Sequence, residues 1–208
     1  MKKYILVLIM LITTILLTGC KKTIEKEIEL DINEIKAIKT ITKDNELLLT
    51  IKNPYKENIN IEVTITYYDS KGNEIDFDYD FVECISSGET VYLGFDLIDD
   101  NYSDYKIEIV PKINQKVKNK KDKIKFKTTK NNKNLEVELI NQGEETIDIV
   151  NIIVLYYKNE LIIGYDIAAS VNLEPNKTNK VKLYPPYQGD KVLNYDRYDI
   201  KINEAYTE

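Results

Sequence analysis

The sequence predicts an all-β protein built from two successive antiparallel β-sandwiches. Three observations carry this. Apolar residues recur at period two, turn-forming residues return about every 8–12 positions, and the whole pattern occurs twice. No stretch sustains an apolar period of about 3.6 residues, so helices have no claim on the cores. The chain has 208 residues, enough for one or two domains, and its 43% hydrophobic and 10% aromatic content can fill their interiors.

The first element is a leader. Lys2 and Lys3 precede an apolar run from Tyr4 to Leu17, and Leu17-Thr18-Gly19-Cys20 follows directly. A positive start, a short apolar stretch and a small-residue cut site are the order of an export signal. A membrane-spanning helix needs about 20 apolar residues, and this run meets Lys21 and Lys22 too soon. Residues 17–20 resemble the bacterial lipobox, Leu-x-Gly-Cys. The resemblance implies a diacylglyceryl group on the Cys20 thiol, cleavage before Cys20, and acylation of the new amine. Each buried CH₂ adds about 0.8 kcal/mol, so two or three acyl chains make a durable anchor. The expected location is the extracytoplasmic face of the cell membrane. In a Gram-negative source it is the outer membrane, because Lys21 is not the aspartate that retains such proteins at the inner membrane. Residues 1–19 are thus read as signal peptide and residues 20–32 as a lipidated tether.

The first sandwich is expected over residues 33–111 and the second over 122–204, joined by a Lys-rich linker, 112–121. Each opens with an extended run, a polar Asn-containing turn and a return strand: Ile38 to Leu47 in the first, Phe126 to Leu135 in the second. The return strands alternate in step, with Leu47, Leu49, Ile51 and then Asn53 matching Leu135, Val137, Leu139 and then Asn141. Ile59, Ile61, Val63, Ile65 and Tyr67 form a strict half-buried strand. Its copy carries Ile152, Val154 and Tyr156, whereas Ile147 and Ile149 upstream fall on the other parity. One extra residue therefore separates the copies here, and a β-bulge near Ile149 to Asn151 is expected to absorb it. Tyr67-Tyr68 and Tyr156-Tyr157 then lead into hairpin turns at Asp69 to Asn73 and at Lys158 to Glu160. Both copies close on Tyr-x-x-Tyr-x-Ile-x-Ile, beginning at Tyr102 and Tyr195. The strand count and turn spacing suit two tandem immunoglobulin-like domains, in which Tyr102 and Tyr195 are expected to be structural.

Tyr67-Tyr68-Asp69-Ser70-Lys71-Gly72-Asn73, followed by Ser87-Gly88-Glu89-Thr90, resembles the FxLYD-type immunoglobulin-like domains of bacterial surface lipoproteins, with their Tyr-Asp-x-x-Gly hairpin and later Pro-Gly-Glu-like turn. In the second copy Leu173-Glu174-Pro175-Asn176 stands at the later turn. Ile65 and Val154 replace the family's Phe, Tyr67 and Tyr156 its Leu, and Lys158 its Asp. The resemblance implies binding or scaffolding and brings no chemistry with it.

The chain contains no histidine, which removes Ser-His-Asp and Cys-His catalysis and leaves only carboxylates and one cysteine for any metal. No enzyme activity and no cofactor beyond the Cys20 lipid are expected. With a formal charge of −6 and Arg197 as the single arginine, nucleic acid is not an expected partner. Asp76, Asp78 and Asp80 alternate with Phe77, Tyr79 and Phe81. The sharp reading is a Ca²⁺ site, with Asp96, Asp99, Asp100 and Asp104 in a later loop. The plainer one is a solvated carboxylate face over an aromatic core. Residues 112–133 hold ten lysines against Asp122; Lys116, Lys118, Lys120 and Lys121 are candidates for contact with anionic head groups or wall polymers. Tyr184 and Tyr187 flank a Pro-Pro loop that could meet a partner. Cys84 is expected to be a buried small hydrophobe. The expected function is lipid-anchored binding or scaffolding, with an envelope protein or anionic polymer as partner besides the membrane. A Ca²⁺-dependent adhesion module and a ligand-free spacer are the alternatives.

Overall fold

The computed structural model describes residues 30, 32–42, 45–97, 102–114, 116–131, 133–188 and 190–207. The leader, Cys20, Asp99 and Asp100 lie outside these residues. Strands β1 (Ala37–Ile41), β2 (Glu46–Lys52), β3 (Ile59–Tyr68), β4 (Glu74–Ile85), β5 (Thr90–Asp96) and β6 (Asp104–Ile113) form two antiparallel sheets, β1-β2-β5 and β4-β3-β6. After the short β7 (Lys118–Asn119) the plan repeats. Strands β8 (Ile124–Lys130), β9 (Leu135–Asn141) and β12 (Thr178–Leu183) form β12-β9-β8. Strands β10 (Ile147–Lys158) and β11 (Leu161–Leu173) join β15 (Arg197–Thr207) and β7 as β11-β10-β15-β7. A small hairpin of β13 (Tyr187–Gln188) and β14 (Lys191–Val192) precedes β15. The described residues are all-β apart from two 3-10 turns, Ile32–Glu34 and Lys121–Lys123.

Alternation builds each core. Ile59, Ile61, Val63, Ile65 and Tyr67 of β3 are fully buried against Leu47, Leu49 and Ile51 of β2 and Val91, Leu93 and Phe95 of β5. Val150, Ile152, Val154 and Tyr156 of β10 do the same against Leu135, Val137 and Leu139 of β9. The Asp69–Asn73 hairpin is held by the Asp69 carboxylate, which accepts the N–H groups of Lys71 at 2.8 Å and Asn73 at 2.9 Å. Gly72 takes φ +81° in it, a conformation glycine adopts without penalty. At the opposite end, buried Asn53 donates to the carbonyls of Glu57 and Ile85, both at 2.9 Å, and accepts from the Tyr55 amide. Asn141 repeats this knot with the Glu145 and Leu173 carbonyls at 2.8 Å and the Gly143 amide.

The expected irregularity near Ile149 to Asn151 is present, and it falls on two strands. Ile147 and Val150 both enter the core, so Asp148-Ile149 carries the change of parity. Against β15 the register slips between Asn151 and Ile152, and Asn203 is the residue left between Ile202 and Glu204.

The two sandwiches stack face to face. Leu48 on the outer side of β2 packs on Ile153 and Leu155 on the outer side of β10; Tyr92, Tyr157, Ile162 and Tyr165 flank them. The sheet order through the molecule is β4-β3-β6, β1-β2-β5, β11-β10-β15-β7, β12-β9-β8. The two inner sheets are thus apolar on both faces at their centres, which explains the unbroken runs Leu47-Leu48-Leu49 and Ile152 to Tyr157. Gly94 lies under the Tyr165 ring, where a Cβ would come within 2.3 Å. Residues 112–121, read as a linker, belong to sheets at both ends: Ile113 pairs with Ile59 in β3, and Lys118-Asn119 pairs with β15.

Candidate interaction surface

Strand β4 is an edge strand, and its register sets which side chains face out. Tyr67, Ile65 and Val63 of β3 point to the core, and their cross-strand partners are Asp76, Asp78 and Asp80. Val82, buried and of the same parity, fixes this choice. The expected aromatic core under an acidic face is therefore reversed. The carboxylates lie on the inner side along the open flank of the sandwich, and the rings face out: Phe77 is 64% exposed, Tyr79 49% and Phe81 51%. Burial raises the Asp80 carboxyl above its ordinary range. Burial, reinforced by the Asp78 charge and then by Tyr102 and Asp76, pushes the Tyr67 phenol up to about 12.

Each of these carboxylates turns to the next amide. Asp76 accepts from Phe77 N–H at 2.9 Å, Asp78 from Tyr79 and Asp80 from Phe81 at 2.8 Å. These amides share one parity and are occupied by side chains, which closes the edge to an added strand. Spread along one strand and engaged this way, the carboxylates do not converge. Among the described residues no three acidic or cysteine side chains gather as a metal-holding group.

The lysines and the Tyr-Pro-Pro-Tyr loop stand at opposite ends of the second sandwich. Lys116 and Lys118 are exposed. Lys120 pairs with Glu145, and Lys121 reaches Glu89 at 3.4 Å across the seam between the sandwiches. An open cleft of about 380 Å³ lies beside Lys120 and Lys123, under the Gln142–Glu145 turn. Tyr184 and Tyr187 are partly exposed; the Tyr184 amide donates to Asp166 at 2.6 Å, and Tyr187 opens the hairpin with Val192. The structure does not bring these two groups together.

Tyr102 packs edge-on against Tyr67 with ring centres 5.3 Å apart, and Tyr195 lies 4.8 Å from Tyr156. It is the Tyr67 hydroxyl that reaches a backbone carbonyl, of Asp96 at 3.4 Å. Cys84 is buried; its thiol donates to the Val117 carbonyl at 3.0 Å, and burial pushes it up. Its φ of +55° matches the +51° of Asn172 at the same place in the second repeat.

Sequence reading missed the polar residues of the seam. Asn119 donates to the Cys84 carbonyl, the Ser86 hydroxyl and Glu89. The Asn203 amide accepts the Tyr92 N–H and donates to the Tyr92 carbonyl, each at 2.8 Å, so it borders β5 as a strand would. Buried Glu204 accepts the Glu83 amide and the Asn151 side chain, both at 2.6 Å, and its carboxyl is raised by burial. Asn203 is an extra residue between Ile202 and Glu204 with no counterpart in the first repeat, and that mismatch was the available signal. A scan of the sequence against protein-family models finds no match, and no curated protein matches the chain.

Proposed function

We propose that this protein is a lipid-anchored, extracytoplasmic binding or scaffolding protein without catalytic activity. The observation that carries the reading is the order of the leader: Lys2-Lys3, a short apolar run and Leu17-Thr18-Gly19-Cys20. Cys20 carries the lipid and holds the chain at the outer face of a membrane. The absence of histidine from the sequence supports the non-catalytic part, as does the engagement of Asp76, Asp78 and Asp80 with their own backbone. The repeated strand order, β1-β2-β5 with β4-β3-β6 and then β8-β9-β12 with β11-β10-β15, supports reading both halves as immunoglobulin-like units of the kind the FxLYD-like residues suggest. The stacked sheets favour a scaffold over a flexible string, because the joining segment is itself paired.

Cross-linking in living cells tests this, with mass-spectrometric identification of adducts and Cys20→Ala as the unanchored control. One dominant partner that disappears with Cys20→Ala supports the reading. A background equal to the control leaves a bare spacer, and hydrolytic or transfer activity in the purified chain refutes it.

A further inference from the structure

The repeat places one sheet face under cover and leaves its counterpart bare. In the second sandwich, the centre of the outer face of β11-β10-β15 is covered by the outer face of β2 and β5, while Ile167 and Val171 of β11 stay exposed. There Tyr165 lies over Gly94, and Leu155 and Ile153 lie on Leu48. The cross-strand pair Thr66 and Phe77 in the first sandwich corresponds to Leu155 and Tyr165 in the second. That face of β4-β3-β6 is exposed: Phe77, Tyr79 and Phe81 line its β4 side, Thr64 and Thr66 its centre, and Lys106, Glu108 and Lys112 its β6 side, where Lys112 pairs with Glu62.

We propose that the β4 and β3 part of this outer face, Phe77, Tyr79 and Phe81 with Thr64 and Thr66, is a docking surface for an uncharged antiparallel sheet face of another protein, with the charged β6 side at its rim. Leucine, tyrosine and glycine would stand in that partner where Leu48, Tyr92 and Gly94 stand in β1-β2-β5. The proposal deepens the binding reading above and rests on it. Strand addition is a poor alternative, since Asp76, Asp78 and Asp80 occupy the amides of the edge. A second copy packing head to tail is excluded by charge. This chain's own free face of that type, on β8-β9-β12, has Glu136 opposite Lys182 and Glu138 opposite Lys180 where the first repeat has Leu48 opposite Gly94 and Thr50 opposite Tyr92. Lys180 pairs with Glu136 at 3.0 Å and Glu138 at 2.9 Å there, and seating those charges on aromatic rings would strip their water without replacing it.

The contrast supplies the test. In the chain from Lys21 to Glu208, which contains every described residue, E136L/E138T/K180Y/K182G rebuilds the missing face. Wild type is expected to sediment as a monomer at every concentration. The rebuilt variant is expected to associate to dimers and larger species as concentration rises, and adding Phe77→Ser with Phe81→Ser is expected to return it to monomer. A rebuilt variant that keeps its melting transition and stays monomeric overturns the proposal, as does association indifferent to Phe77 and Phe81. A wild-type dimer abolished by Phe77→Ser also overturns it, by making a second copy the occupant. Should the rebuilt variant not fold, a photo-cross-linking phenylalanine analogue at Tyr79 in cells decides instead. An adduct mapped to an uncharged strand of another protein supports the proposal; adducts confined to lipid, to this chain, or absent altogether overturn it. The sedimentation arm uses unanchored chain, so its failure leaves the anchored-binding reading standing, and the loss of that reading in cells leaves this face to be judged by sedimentation.

Discussion

Asn53 and Asn141 perform one task twice. Each is fully buried and ties a loop to the end of a distant strand through two carbonyls and one amide. Periodicity marked them as positions in step; it did not reveal the knot, because the groups they satisfy belong to backbone that the pattern leaves unspecified. Asn53→Leu removes the donors for Glu57 and Ile85 and the acceptor for Tyr55. A loss of about 3 kcal/mol in urea unfolding is expected, since each stranded buried group costs about 1–3 kcal/mol. Glu204 behaves oppositely with pH. Its folded carboxyl is raised above the ordinary 4.5, so the native state holds the proton longer than the unfolded chain. Its contribution is therefore most favourable below about 4.5 and declines as pH rises through the raised folded value. Nearby, Glu83 raises it and Lys121 lowers it. Glu204→Gln removes this titration, so the variant should gain stability relative to wild type between pH 4.5 and 7; denaturation curves of both at the two ends would show it, and an unchanged difference would refute it.

Strand β4 shows how an element can be placed correctly and faced wrongly. The alternation of Asp76, Asp78 and Asp80 with Phe77, Tyr79 and Phe81 was plain in the sequence, and hydrophobicity alone assigned the rings to the core. The register against β3, set by the Asp69–Asn73 hairpin and by Val82, assigned them to solvent. Strands β2 and β10 show the converse. Their inner residues were legible, while Leu48, Ile153 and Leu155 were passed over because a second buried face breaks the alternation that reveals strands. Gly94 belongs with them. A Cβ there meets the Tyr165 ring at 2.3 Å, so Gly94→Ala should cost about 1–3 kcal/mol by overpacking. In a Tyr165→Ala background most of that cost should vanish. A double-mutant cycle measures the coupling, and additive losses would place the strain elsewhere.

At the scale of the whole molecule, the seam makes the sandwiches depend on one another. Leu48, Ile153 and Leu155 are almost wholly buried between them, and Asn119, Asn203 and Glu204 bond across the same boundary. A single calorimetric transition is expected for wild type. Leu48→Glu, which copies the residue at Glu136 of the second repeat, buries a charge in the seam and should split the transition in two. Two transitions already in wild type would show that the seam does not couple them.

What the sequence determined by itself was the class of fold, the repeat, the turns and most of each core. These follow from local rules, since strand alternation, turn chemistry and apolar spacing are written within a few residues of one another. The tertiary structure alone decided which way β4 faces, which polar residues join the halves, and that two sheets are buried on both sides. Those depend on pairings between residues up to more than a hundred positions apart, such as Glu83 with Glu204, and on one sheet meeting another, which no periodicity within a strand encodes.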